Sequence, residues 1–215
     1  MLSVTDTTAP PDRLTGGATL PRRWLLLLRV FRWYSRRYVR KHFHAVRLSK
    51  SGHTFPPSEG EPLLIVLNHP AWWDPMICMV LSSVIAERDQ FAAIDAEAVQ
   101  QYAAFKKMGF IPVDTRTLRG AAEFVRTGTT ILSQSNRVFW VTAQGRFTDV
   151  RERPLGINAG VGHLASRLTG GVVLPLALEY SFWTERTPEA LLRVGEPLRA
   201  IELRMSVSAC TFFRR

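Results

Sequence analysis

The chain has 215 residues, 46% of them apolar and 21% charged. That is enough for one substantial core, too short for two large domains, and too apolar for a disordered polymer. The formal net charge is +10, yet residues 1–58 hold eleven Lys/Arg against Asp6 and Asp12, so this segment carries +9 and the other 157 residues +1. Two distant cysteines, Cys78 and Cys210, exclude a disulfide framework and point to a reducing, cytosolic compartment. The five histidines do not cluster with them, so no metal site is expected.

In chain order, residues 1–19 are rich in Thr, Pro, Gly and Asp and read as a disordered leader. The apolar run 24–28 is too short for a secretory signal and far short of the roughly 20 apolar residues that span a bilayer. Residues 20–50 form a basic segment, expected to be helical over 21–48. At about 100° per residue, Trp24, Leu27, Leu28, Phe31, Tyr34 and Tyr38 fall on one side, with Arg22, Arg29, Arg32, Arg36, Arg40 and Arg47 opposite. Such a helix suits a membrane interface with anionic lipids. A helix packed on the protein's own core with a solvated basic face is the structural alternative. Nucleic-acid binding is not expected, because it would leave the aromatic-aliphatic face unused.

A Pro- and Gly-containing connector, 51–62, leads into a domain expected over 51–203, with 204–215 as a tail of unassigned role. Residues 63–67 (Leu-Leu-Ile-Val-Leu) read as a buried strand. It runs into Asn68 and His69, and Asp74 follows five residues after the histidine. Pro70 keeps His69 out of a helix and suits a helical first turn. Asp74 can then fold back on the imidazole, giving the base-plus-orienting-carboxylate pair of general base catalysis. A capping histidine with an aspartate offsetting the helix dipole is the structural alternative. Helices are expected over 75–86, 95–107, 118–135 and 156–170. Strands are expected after Gly109 (Phe110 to Val113), over 137–142, over 172–178 (with Pro175 marking an edge or bulge) and over 191–194. His163 reads as structural.

Asn68-His69-x-x-x-x-Asp74 at the end of an apolar strand, with Trp72 and Trp73 in the gap, resembles the H-x4-D box of the glycerolipid acyltransferase family. Gly109, Pro112, Val113 and Asp114 resemble its second block, with Arg116 one position later than the family's phosphate-holding arginine. Ala143-Gln144-Gly145-Arg146 resembles a third block, Phe-Pro-Glu-Gly-Thr/Ser-Arg, but with Gln144 for the glutamate, Ala143 for the proline and Arg146 where Thr or Ser is usual. The 172–178 strand with Pro175 resembles the fourth. The resemblance implies catalytic His69 and Asp74, with Asn68, Arg116, Gln144, Gly145, Arg146 and Pro175 toward substrate. It implies no metal and no cofactor beyond acyl-CoA or acyl carrier protein as co-substrate. Trp72 and Trp73 would shape the pocket or meet the bilayer.

Alternating strands and helices argue for an α/β fold with a mostly parallel or mixed central sheet, helices on both faces and an amphipathic basic N-terminal helix in front. The expected activity is transfer of a fatty acyl chain from an acyl thioester to a hydroxyl of a lysophospholipid or other lipid acceptor, at the cytoplasmic face of a membrane. A non-catalytic lipid-binding protein of the same fold is the alternative.

Overall fold

The computed structural model describes residues 20–55, 60–97 and 103–205. The leader 1–19 and the tail beyond 205 lie outside the described residues. Helix α1 (Leu25–His42) is followed by strand β1 (Ala45–Leu48), β2 (Leu63–Leu67), α2 (Asp74–Ser82) and β3 (Asp89–Asp95). A 3₁₀ turn (Ala103–Met108) then leads to β4 (Phe110–Val113), α3 (Leu118–Leu132), β5 (Arg137–Thr142) and α4 (Ala159–Arg167). The chain continues through β6 (Val172–Ser181), β7 (Glu189–Val194), β8 (Leu198–Arg199) and α5 (Ala200–Met205).

The described strands form one eight-stranded sheet in the order β1-β7-β6-β2-β5-β3-β4, with β8 paired to β6. The pairs β6–β2, β2–β5, β5–β3 and β3–β4 are parallel, whereas β7 runs antiparallel to β6. The sheet is therefore mixed with a parallel centre. Strand β2 lies in the middle, and all five of its residues are buried. A central parallel strand covered on both faces needs such an unbroken apolar run. Period-two alternation divides it between two cores: Leu64 and Val66 face Phe124, Ile131 and Leu164 of α3 and α4, while Leu63, Ile65 and Leu67 join Val39, Phe43 and Ile77 on the side of α1 and α2. Helices thus cover both faces.

Four expectations change. The helix over 21–48 stops at His42, and residues 45–48 pair in parallel with β7. Val46 packs against the core below α1 and α2, and that tertiary pairing overrides the helical reading. The helix over 75–86 begins at Asp74 and ends at Ser82; Pro75, not Pro70, occupies its first turn. Of the 95–107 helix, Ala96 and Glu97 are helical, 98–102 lie outside the described residues and 103–108 form the 3₁₀ turn, while strand β3 before it went unread. Its Asp-Gln-Phe-Ala-Ala-Ile-Asp sequence has little β character, yet it is sandwiched between β5 and β4.

Pro175 is the fourth, in part. It sits inside β6 with β2 on one side, so it marks no edge. The bulge reading is the one that fits, because the antiparallel register slips by one residue across it, from Leu176↔Val194 to Val173↔Leu198. On the other side, pairing to β7 stops at Leu176 and pairing to β8 begins at Val173. The Pro175 carbonyl points into that gap and accepts from Gly195 N–H. Its nitrogen faces the same way, so no ladder donor is lost.

Helix α1 belongs to this fold. Leu27, Leu28 and Phe31 pack on Met79, Phe105, Met108 and Phe110. Arg32 donates to Ser82 Oγ at 3.1 Å, and Arg23 pairs with Asp89. The face assigned to a membrane from sequence is thus largely occupied by the protein. Opposite it, Leu26, Val30 and Trp33 form an exposed stripe flanked by exposed Arg22, Arg29, Arg36 and Arg40.

Candidate active site

Strand β2 ends at Leu67, and Asn68 continues its pairing with side-chain atoms. The Asn68 Nδ2 group donates to Leu178 O, and its Oδ1 accepts from Leu178 N–H, both at 2.8 Å. This doubly bonded amide ties the end of β2 to β6 and aims the next residue, His69, beyond the sheet. After a short turn, α2 starts at Asp74, which is fully buried.

His69 Nδ1 donates to Asp74 Oδ2 at 2.5 Å, so Nε2 is the nitrogen left to accept a proton. Ala71 N–H also reaches Oδ2, at 3.4 Å, and the Tyr180 hydroxyl donates to Oδ1 at 2.7 Å. Both oxygens of a carboxylate with no solvent access are therefore satisfied, as such burial requires. Burial, followed by the charge of Asp74, pushes the Tyr180 phenol well above its ordinary range and keeps it a donor. The same causes push up the Cys78 thiol, which stays protonated. Tyr180 was missed from sequence: 106 residues separate it from Asp74, and only the β6–β2 neighbourhood brings them together.

The imidazole lies 4.5 Å, centroid to centroid, from the Phe147 ring. It borders a cleft of about 110 Å³ at the carboxyl ends of β3, β4 and β5, where open α/β sheets hold ligands. Ile94, Val113, Phe124, Val141 and Val161 give it an apolar floor; Asp95, Asp114, Thr115 and Asn158 supply polar groups. A base with a fixed tautomer beside a partly apolar cleft can deprotonate a hydroxyl while an apolar chain is held nearby.

The sequence profile of the Acyltransferase family matches residues 40–179. The chain belongs to that family. This acyltransferase is also similar in fold to a solved structure, the 1-acyl-sn-glycerophosphate (LPA) acyltransferase PlsC from Thermotoga maritima. The TM-score is 0.57 at 13% identity, covering 86% of this chain and 74% of that one. A search of curated proteins finds no significant match.

The remaining residues of interest divide sharply. In the acyltransferase, Gln144 is buried and fully engaged: Oε1 accepts from His69 N–H at 2.7 Å, and Nε2 donates to Leu155 O at 2.8 Å. A glutamate could make the first bond but has no hydrogen for the second. Gln144 thus clamps the His69 backbone to the 155 loop. Gly145 lines the cleft with φ +64°, a conformation that suits glycine, and an added Cβ would stand 3.3 Å from Thr115 Cγ2.

The arginines point elsewhere. Arg116 is exposed and bonds Glu97 at 2.7 Å, with Asp114 at 3.8 Å. Arg146 is exposed and pairs with Glu152 at 2.9 Å. Neither lines the cleft, and neither does Pro175, whose ring packs near Gly195. Trp73 is enclosed by Tyr38, His42 and Phe43, whereas Trp72 stacks on it at 4.7 Å with its outer face exposed. Among the described residues no group of three metal-ligating side chains occurs, and no helix is long and apolar enough to cross a membrane.

Proposed function

We propose that this acyltransferase moves a fatty acyl group from an acyl thioester, acyl-CoA or acyl carrier protein, to a hydroxyl of a lipid acceptor at a membrane surface. The observation that carries the reading is the 2.5 Å contact between His69 Nδ1 and fully buried Asp74. His69 Nε2 takes the acceptor's hydroxyl proton as that oxygen bonds to the thioester carbonyl carbon. The carbon–sulfur bond then breaks, and the imidazolium returns the proton to the departing sulfur. An ester and a free thiol result, with no covalent enzyme intermediate. Asp74 holds the ring's tautomer and stabilises the imidazolium, and Tyr180 and Ala71 N–H hold Asp74.

The test is transfer of a radiolabelled acyl chain by purified wild type, His69→Ala and Asp74→Asn, with folding verified by circular dichroism. Loss of turnover in both variants is expected. Full activity in folded His69→Ala, or lipid binding by the wild type without thioester cleavage, would overturn the proposal.

Membrane attachment is supported by the exposed Leu26–Val30–Trp33 stripe and the arginines beside it, since apolar and cationic groups together suit an anionic bilayer interface. Val30→Asp with Trp33→Asp should abolish co-flotation with anionic liposomes while leaving the fold intact. Leu27 and Phe31 are poor probes, because they pack on the protein itself.

A further inference from the structure

We infer that the acceptor's head group carries no phosphate and donates hydrogen bonds, being polyhydroxylated or amino-bearing; this rests on the acyl-transfer reading above. The cleft beside His69 contains two carboxylates, Asp95 at the end of β3 and Asp114 just after β4, and no lysine or arginine among the described residues lines it. The arginine two residues after Asp114 is already committed. Arg116 bonds Glu97, faces Asp114 and feels the charge of Asp95, so one guanidinium serves three carboxylates. The hydrogen bond to Glu97, first, holds Arg116 above its ordinary range. Backbone Arg116 N–H and the Thr117 hydroxyl hold the Asp114 carboxyl below its own, so this rim stays negative at neutral pH.

The third block offers no substitute. Gln144 has both ends of its amide engaged within the protein, and Arg146 is paired with Glu152. A phosphate dianion brought here would meet like charge and no free guanidinium fork. Hydroxyl or ammonium hydrogens would find acceptors on Asp95, Thr115 and Asn158. The exclusion is local and opposes the chain's overall charge of +10, which by itself favours anions.

The experiment compares three single-chain acceptors of equal chain length in neutral detergent micelles at constant ionic strength: a 1-acylglycerol, its 3-phosphate, and a long-chain amino alcohol. Affinity is measured on full-length His69→Ala, and kcat/KM on the wild type. At least one phosphate-free acceptor should bind about tenfold or more tighter than the phosphate and be the better substrate. The acylglycerol and amino-alcohol arms tell hydroxyl from ammonium recognition. Asp95→Asn, which retains an oxygen to accept from Glu97 N–H, should narrow the gap several-fold. Equal or tighter binding of the phosphate, or an unchanged gap in Asp95→Asn, would overturn the inference. Preferential binding of a phosphate-free acceptor without turnover of any of the three would sustain it and sink the acyl-transfer reading instead.

Discussion

The His69–Asp74 corner and the rim of its cleft border one site but are built on opposite principles. At the corner, Asp74 is fully buried, both its oxygens accept hydrogen bonds, and the donors come from a turn, a histidine and a distant strand. At the rim, Arg116 and Arg146 are exposed and held by surface ion pairs, which solvent screens and which contribute little. A buried, saturated network resists change because losing any member strands its partners. An exposed pair can be redrawn at little cost. Under the proposed mechanism the contrast makes chemistry and acceptor choice separately adjustable: the corner would carry the proton transfer, and the rim would be free to differ from relatives.

Four experiments sharpen or break this contrast, from the largest expected effect to the smallest. His69→Ala should lower kcat by about 10²–10⁴-fold, read by steady-state acyl transfer, and should also lower the melting temperature, because fully buried Asp74 loses its ring donor. Gln144→Glu restores the residue usual in the family. It should nevertheless lose about 1–3 kcal/mol of stability in urea titration, because the Leu155 carbonyl loses its donor and faces a carboxylate. An unchanged midpoint together with faster use of a phosphate-bearing acceptor would mean that Gln144 belongs to the rim and not to the corner.

Tyr180→Phe leaves one oxygen of buried Asp74 without its hydroxyl donor. We expect a stability loss of about 1–2 kcal/mol and a severalfold lower kcat at unchanged KM, since Tyr180 acts through Asp74 and lies outside the cleft lining. A raised KM with normal kcat would contradict that. The smallest effect is expected at a pair that belongs to neither region. Arg47 donates twice to Glu189, each at 2.6 Å, and holds that carboxyl below its ordinary value. A depressed folded-state value contributes stability above the ordinary carboxylate range, and the contribution is lost as pH falls through the depressed value. The small melting-temperature difference between wild type and Arg47→Ala should therefore be present at pH 7 and vanish toward strongly acidic pH.

Most of the fold was legible because its signals are local. Strand β2 is an unbroken apolar run, and so are residues 138–141 of β5 and 172–178 of β6. Helix α3 opens at Thr117, whose side chain accepts from Gly120 N–H, so its start is written into the sequence. The His69–Asp74 pair was legible for a related reason, since five residues and one proline suffice to place it. Strand β3 was not, because its Asp-Gln-Phe-Ala-Ala run gains its stability from β4 and β5 and not from its own propensity. The direction of α1 was half legible. Its sequence has two apolar stripes, and periodicity alone favoured the one that the protein buries.

By itself the sequence determined the alternating α/β plan, the basic charge of the first 58 residues, and a histidine with a carboxylate five residues on, at the end of a buried strand. Each of these needs only neighbours along the chain. The tertiary structure decided that Tyr180 completes the dyad, that Gln144 clamps the His69 backbone, and that Arg116 and Arg146 are spent on Glu97 and Glu152 instead of facing the cleft. Those outcomes depend on which distant groups meet when the sheet closes. Hydrogen bonds and ion pairs are short-ranged, so no spacing in the sequence could fix them.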